Sequence, residues 1–193
     1  VVQGATEFLP VSSSGHLVLG AHILDFHEQG LVFDVMLHLG TLVSVIIVFR
    51  KELWAMATAP YKWCRGQRDE ANLNFLLWDI YVLLASVPAV VIGLAFKETF
   101  EVMFTSILIV CMMLIVTGAL MIVTRYLPER GGRVTWSKAL LIGCAQACAI
   151  IPGISRSGST IFTGMLLGIN RETVARFSFI MSVPVIAGAA LLN

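Results

Sequence analysis

The chain has 193 residues, of which 58% are hydrophobic and only 13% charged, where a soluble domain carries roughly a quarter charged residues. With a mean hydropathy of +0.87, this composition excludes an ordinary water-soluble enzyme. A net charge of +1 supplies no basic field for nucleic acid.

The first segment, Val1 to Phe26, is apolar but broken at Pro10 and at Ser12 to Ser14, so it is too interrupted to span. Gln3 and Glu7 are four residues apart, on one face of a helix that Pro10 ends. A carboxylate in hydrocarbon costs roughly 2.5 to 3.5 kcal/mol and marks function by default. Ser12, Ser13, Ser14 and Gly15 then offer hydroxyls and backbone N–H groups at a new helix start, where the dipole favours anions, and His16 follows. His22, Asp25 and His27 read as a solvated rim.

Leu31 to Phe49 is the first apolar window long enough to cross a bilayer core of about 30 Å. His38, beside Gly40, reads as a core histidine. Arg50 to Asn72 is a basic loop, and the second window, Leu73 to Phe96, follows it. A short connection holding only Lys97 leads to the third window, Met103 to Thr124, and then to a second basic loop, Arg125 to Lys138. Two crossings separate the basic loops, so both lie on one face, cytoplasmic by the positive-inside rule. Trp54, Tyr61, Trp63, Tyr126 and Trp136 fit an aromatic belt there.

Ala139 to Ile169 is the second broken segment, interrupted from Pro152 to Ser159. Its Pro-Gly-Ile-Ser-Arg-Ser-Gly-Ser-Thr run holds Arg156, whose planar fork matches phosphate oxygens. A pairing of Arg156 with Glu7 is compatible with that role. Gln146 is buried and reads as an interhelical hydrogen-bonding residue. The last window is Val174 to Leu192, with Arg171, Glu172 and Arg176 as inside-face anchors. The cysteines Cys64, Cys111, Cys144 and Cys148 contain no CxxC pair and read as small packing residues. Val1 and Asn193 both adjoin apolar runs, so a single transmembrane domain lacking its native ends is expected, with no legible signal peptide.

Placing Ser12 on Ser155, an offset of 143 positions, pairs Gln3 with Gln146, Ser14 with Ser157 and Gly15 with Gly158. One residue further on, Phe33 to Thr41 lies against Phe177 to Val185, with Gly40 facing Pro184. In the topology above, the first broken segment enters from outside and the second from inside. The expected fold is therefore an all-α polytopic membrane protein with an inverted-topology repeat, about 1–50 and about 138–193. Two re-entrant broken helices would meet near the bilayer midplane.

The run from Val2 to His16, together with Pro152 to Thr160, resembles the undecaprenyl pyrophosphate phosphatase family, also called UppP or BacA, and the similarity extends through nearly the whole chain. The resemblance implies an inner-membrane enzyme that converts undecaprenyl pyrophosphate to the monophosphate carrier of cell-wall synthesis. It also implies bacitracin resistance on overproduction, a site facing the periplasm and a divalent cation, Mg2+ or Ca2+. The family's first motif is Glu or Gln, three residues, then Glu, and Gln3 with Glu7 is the one-carboxylate form. On this reading Gln3 and Glu7 hold the metal, and Ser12, Ser14, Ser155, Ser157 and Thr160 bind phosphate with Arg156. Ser13 is the candidate nucleophile, with metal-activated water as the alternative, and His16 the candidate acid or base. A transporter or flippase for an anionic polyprenyl lipid is the rival function. The oligomeric state, a homodimer included, stays open.

Overall fold

In lipid every backbone N–H must find its acceptor within the protein, and apolar runs satisfy this as helices. The computed structural model describes residues 2–25, 31–128 and 130–192, with the side chains of 31–35 and 190–192 left aside. His27 lies outside the described residues. In chain order the helices are α1 Val2–Thr6, α2 Ser13–Ile23, α3 Leu31–Val48, α4 Arg50–Cys64, α5 Glu70–Ala95, α6 Lys97–Thr105, α7 Ile107–Thr124, α8 Trp136–Cys148, α9 Arg156–Leu166 and α10 Arg171–Leu192. The described residues form no strand. One isolated bridge joins Gly132 to Ile169.

Among the described residues three helices are long and apolar enough to cross a membrane, over Glu70–Ala95, Ile107–Thr124 and Arg171–Ala189, and Met36–Val48 is an apolar part of α3. At 1.5 Å per residue α8 and α9 reach only about 20 and 16 Å, so neither crosses alone. The chain turns between them, as it does between α1 and α2. The second helices of the two turned units share their bounds at an offset of 143: α2 runs 13–23 and α9 156–166, each 11 residues long. Both also open with the same device, a serine whose hydroxyl accepts from the N–H three residues on. Ser12 takes Gly15 and Ser155 takes Gly158.

Two segments differ from the sequence expectation. The basic stretch after Phe49 is not an irregular loop but helix α4, whose Met56 and Ala59 are buried while Trp54 and Tyr61 are exposed. Its aromatic and basic residues pair, Arg65 over Tyr61 and Arg68 over Trp63, as suits a helix lying along an interface. The third crossing begins at Ile107 rather than Met103. Ser106, with extended backbone, ends α6 and starts α7. The cysteines, read as packing residues, are free, and Cys64, Cys144 and Cys148 are exposed.

The core lies where α10 meets α5, α8 and α9. Val174, Phe177 and Met181, at helical spacing on α10, are fully covered by a cluster that includes Val82, Ala85, Ile142 and Met165. Trp78 packs edge-on against Phe177 with centroids 5.7 Å apart. Helix α8 approaches α5 so closely that a Cβ on Gly143 would stand 2.3 Å from the Ala85 carbonyl oxygen, so glycine is required there. The α10 window has 39% of its residues buried inside the protein, against 17% for those of α5 and α7. Helix α10 is therefore the central post, and α5 and α7 present their apolar sides outward.

Candidate active site

Two loops carry the polar groups, 7–12 between α1 and α2 and 149–155 between α8 and α9. Gly153, at φ 93°, turns the second loop and comes so close to α7 that a Cβ would be 2.5 Å from the Val110 carbonyl oxygen. Thr117 of α7 pins it twice, its hydroxyl donating to Gly153 O at 2.8 Å and accepting from Ser155 N at 3.0 Å. The first turn of α2 reaches the second loop at Gly15, whose added Cβ would lie 3.0 Å from Gly153 Cα. Ser12 holds a left-handed backbone at φ 65°, a strained conformation for serine.

These loops bring the acidic and basic residues together. Arg156 Nη2 donates to Glu7 Oε1 at 2.7 Å, across 149 positions of chain. The other carboxylate oxygen, Oε2, accepts from Ser13 Oγ and from Gln3 Nε2 at 2.9 Å. Gln3 Nε2 also lies 3.2 Å from His38 Nδ1. Two buried atoms here have no hydrogen-bond partner, Arg156 Nη1 and Gln3 Oε1. The first is a donor left for an anion and the second an acceptor left for a cation or donor.

A cavity of about 740 Å³ opens on this cluster. Glu7, Ser12, Ser13, Ser14, Ser155, Ser157 and Arg156 line its polar part. Its apolar walls come from α2 (Leu17, Val18, Ala21), from Phe104 of α6, from Ile150 and Ile154, and from Val185 and Ile186 of α10. Within the apolar stretch from Leu73 to Thr124, α6 supplies lining residues (Glu101, Phe104 and Thr105), whereas α5 and α7 supply none. Both helix starts, α2 and α9, meet at the polar part, so two positive dipole ends converge there.

Most of the residues singled out in the sequence therefore assemble, but not all face the cavity. Thr160 is turned away: its hydroxyl bonds the Arg156 and Ser157 carbonyls and contacts Ser178 Oγ at 2.6 Å. His16 Nδ1 lies 2.8 Å from the Ser12 carbonyl, and neither His16 nor the buried Gln3, which reaches the site through Glu7, is among the lining residues. Ser13 is held by Glu7, so the group placed to take its proton is a carboxylate. His22 and Asp25 are exposed, as a rim requires. Gln146 is buried with neither amide atom partnered. Sequence reasoning missed Thr117, whose hydroxyl gave no signal inside an apolar run, and Glu101 of α6, a second carboxylate lining the cavity.

Over residues 1–193 the chain matches the family described as Bacitracin resistance protein BacA. It belongs to that family. Three similar proteins carry the name undecaprenyl-diphosphatase. One from Desulforapulum autotrophicum is 43% identical over 100% of this chain and 74% of its own length. One from Desulfosudis oleivorans is 44% identical over 100% and 74%. One from Pseudoalteromonas translucida, named undecaprenyl-diphosphatase 1, is 40% identical over 97% and 70%.

For a member of the BacA family the donor set decides what metal the site suits. Among the described residues no three His, Cys, Asp or Glu side chains cluster as a metal site. The hard donors present are the Glu7 carboxylate and, on the amide whose nitrogen bonds it, the unpartnered Gln3 Oε1. Oxygen donors of this kind suit a hard cation of the Mg2+ type, which keeps water and takes further oxygens from phosphate. They do not fit zinc or another soft metal.

Proposed function

We propose that this chain hydrolyses undecaprenyl pyrophosphate to undecaprenyl phosphate and inorganic phosphate, recycling the lipid carrier of cell-wall synthesis. The observation that carries the reading is the Glu7 carboxylate, held at once by Arg156 and Ser13 at the polar part of a cavity whose other walls are mostly apolar. A lipid diphosphate has the matching form, an anionic head on an apolar tail.

Ser13 Oγ attacks the terminal phosphorus and passes its proton to Glu7 Oε2. The bond between that phosphorus and the bridging oxygen breaks, and undecaprenyl phosphate leaves with the electron pair and takes the proton from Glu7. Water then attacks the phosphoserine, the again ionised Glu7 taking a proton from the water and passing it to Ser13 Oγ as the bond from that oxygen to phosphorus breaks, so inorganic phosphate leaves and both side chains are restored. Arg156 contributes through Nη1, and the two helix starts add oriented dipoles. Both stabilise charge on the equatorial phosphate oxygens without reorganising during the step. Gln3 Oε1 and Glu7 would hold a Mg2+ or Ca2+ ion, which neutralises diphosphate charge when bound. His16 orients the Ser12 turn through its carbonyl contact, and Ser12, Ser14, Ser155 and Ser157 supply hydroxyls to the phosphate.

The turned units α1–α2 and α8–α9 act as re-entrant hairpins of an inverted repeat. The 143-residue offset, the matching helix bounds and the shared serine caps support this. The chain then sits in the bacterial inner membrane with its cavity towards the periplasm, a homodimer being compatible with that placement. Phosphate release from undecaprenyl pyrophosphate by purified protein in detergent, with and without Mg2+, tests the activity. A transporter of the same lipid would bind it and release none.

A further inference from the structure

The hydrogen bonds around Gln3 fix the state of a histidine that takes no part in the phosphoryl transfer just described. Glu7, paired with Arg156, can only accept. The Gln3 amide atom 2.9 Å from Glu7 Oε2 is therefore the nitrogen, since an amide oxygen there would face a carboxylate oxygen. That same nitrogen lies 3.2 Å from His38 Nδ1 and has one proton left to give. Nδ1 must carry the lone pair, which puts the ring proton on Nε2. With both amide protons engaged, Gln3 Oε1 is left buried and unpartnered. His38 is no detached core residue, because it lines the same cavity as Glu7 and Ser13.

We infer that His38 is a positioning residue that holds the Gln3 amide in one orientation throughout the reaction. The inference rests on the phosphatase reading, in which Glu7 takes the Ser13 proton. At that moment Oε2 becomes a donor, and an unrestrained amide would flip to offer its oxygen. The lone pair on His38 Nδ1 opposes the flip, so the amide nitrogen keeps facing Oε2 and favours return of the proton. Gln3 Oε1 likewise keeps its direction from one turnover to the next. The contact acts on turnover and not on capture of the lipid.

Two measurements test this. In the purified, ligand-free chain, 15N NMR of the ring nitrogens should show His38 protonated on Nε2 and unprotonated on Nδ1, and Gln3→Leu should release it to a mixture of tautomers. An Nδ1–H tautomer, or one indifferent to Gln3→Leu, overturns the contact. In the phosphate-release assay His38→Leu should lower kcat roughly tenfold or more and leave KM within about twofold. His38→Asn, whose Oδ1 can stand where Nδ1 stood, should recover most of the loss. Gln3→Ala combined with His38→Leu should be no slower than Gln3→Ala alone, because the two act as one unit. Normal kcat in His38→Leu, no recovery by Asn, or additive losses would each overturn the proposal. Melting in detergent shows that the variants are folded. A wild type that releases no phosphate overturns the enzymatic reading instead, while the tautomer still decides the contact.

Discussion

Glu7 Oε1 and Arg156 Nη2 meet at 2.7 Å, with side-chain exposures of 9% and 21%, and they join the two turned units at a single ion pair. Removing one partner of a fully buried pair costs about 3 to 5 kcal/mol because the other charge is left uncompensated, and this part-buried pair costs less but still enough to matter. Alanine at either position would therefore confuse lost chemistry with lost fold. The sharper variants are Glu7→Gln and Arg156→Lys. Each should lower turnover by roughly 10² to 10³, the effect of removing one oriented group from a transition state. Lysine cannot present the fork that reaches Glu7 with one nitrogen and the substrate with another. Near-normal phosphate release by either folded variant would remove the pair from the mechanism.

Thr117 is the simplest handle on the second loop. Thr117→Val keeps the shape and deletes both the bond to Gly153 O and the bond from Ser155 N. At about 1 kcal/mol for each buried hydrogen bond, stability should fall by about 2 kcal/mol. Turnover should fall as well, since Ser155 caps the helix that begins with Arg156. A lower melting temperature in detergent with unchanged kcat would mean that the loop keeps its shape without the threonine.

The legible part of the fold was the part written in breaks. Pro10 with Ser12, and Pro152 with Ser155, interrupt apolar runs in the same order, and the helices that follow start and end 143 positions apart. The joining of Glu7 to Arg156 follows from the same pattern, since two costly charges in hydrocarbon need each other. Helices α4 and α6 were not legible, because polar residues interleaved with apolar ones read as charged loop until a bilayer surface is supplied. Thr117 was hidden for another reason. A threonine in a membrane helix normally bonds its own backbone, as Thr124 does to Leu120 O, and only the fold reveals a partner 36 residues away. His38 was read as core because sequence gives no measure of its distance from Gln3.

Gly153→Ala should be among the most damaging single-methyl changes in the chain. The residue holds φ 93°, and the new Cβ would meet Val110 O at 2.5 Å and Met113 Cβ at 2.8 Å. The backbone conformation alone costs about 1 to 2 kcal/mol, and a carbonyl oxygen on α7 cannot yield as a flexible side chain can. Gly15→Ala should be milder, because the nearest atom is Leu114 Cδ2 at 2.8 Å, the end of a movable side chain. Melting temperatures in detergent should rank wild type above Gly15→Ala and Gly15→Ala above Gly153→Ala. The reverse order would contradict the packing of this loop against α7.

A strong chelator should arrest phosphate release, and Mg2+ or Ca2+ should restore it. The donor set contains one carboxylate and one amide oxygen, so affinity should depend heavily on the substrate's own phosphates. Raising the lipid diphosphate concentration should therefore lower the Mg2+ concentration needed for half-maximal rate. Gln3→Glu, which adds a second carboxylate, should lower it as well. Turnover indifferent to chelation would show that Arg156 and the two helix starts neutralise the diphosphate unaided.

Ser13 decides between covalent and direct hydrolysis. Its hydroxyl already donates to Glu7 Oε2, the geometry of a nucleophile beside its base. Ser13→Ala should lower turnover by roughly 10³-fold or more, as loss of an activated nucleophile does in other hydrolases. Substrate binding should persist, because Arg156 and both serine caps are untouched. Acid quenching of wild-type turnover should trap phosphate on Ser13, and the label should be absent from Ser13→Ala. If that variant keeps a substantial rate and no phosphoserine is ever found, Glu7 instead activates water, and Ser13 only orients the carboxylate. The neighbouring Ser12 and Ser14 are then the control. Their hydroxyls contact each other at 3.3 Å and not Glu7, so Ser14→Ala should leave turnover within about tenfold of wild type, the scale of one neutral hydrogen bond.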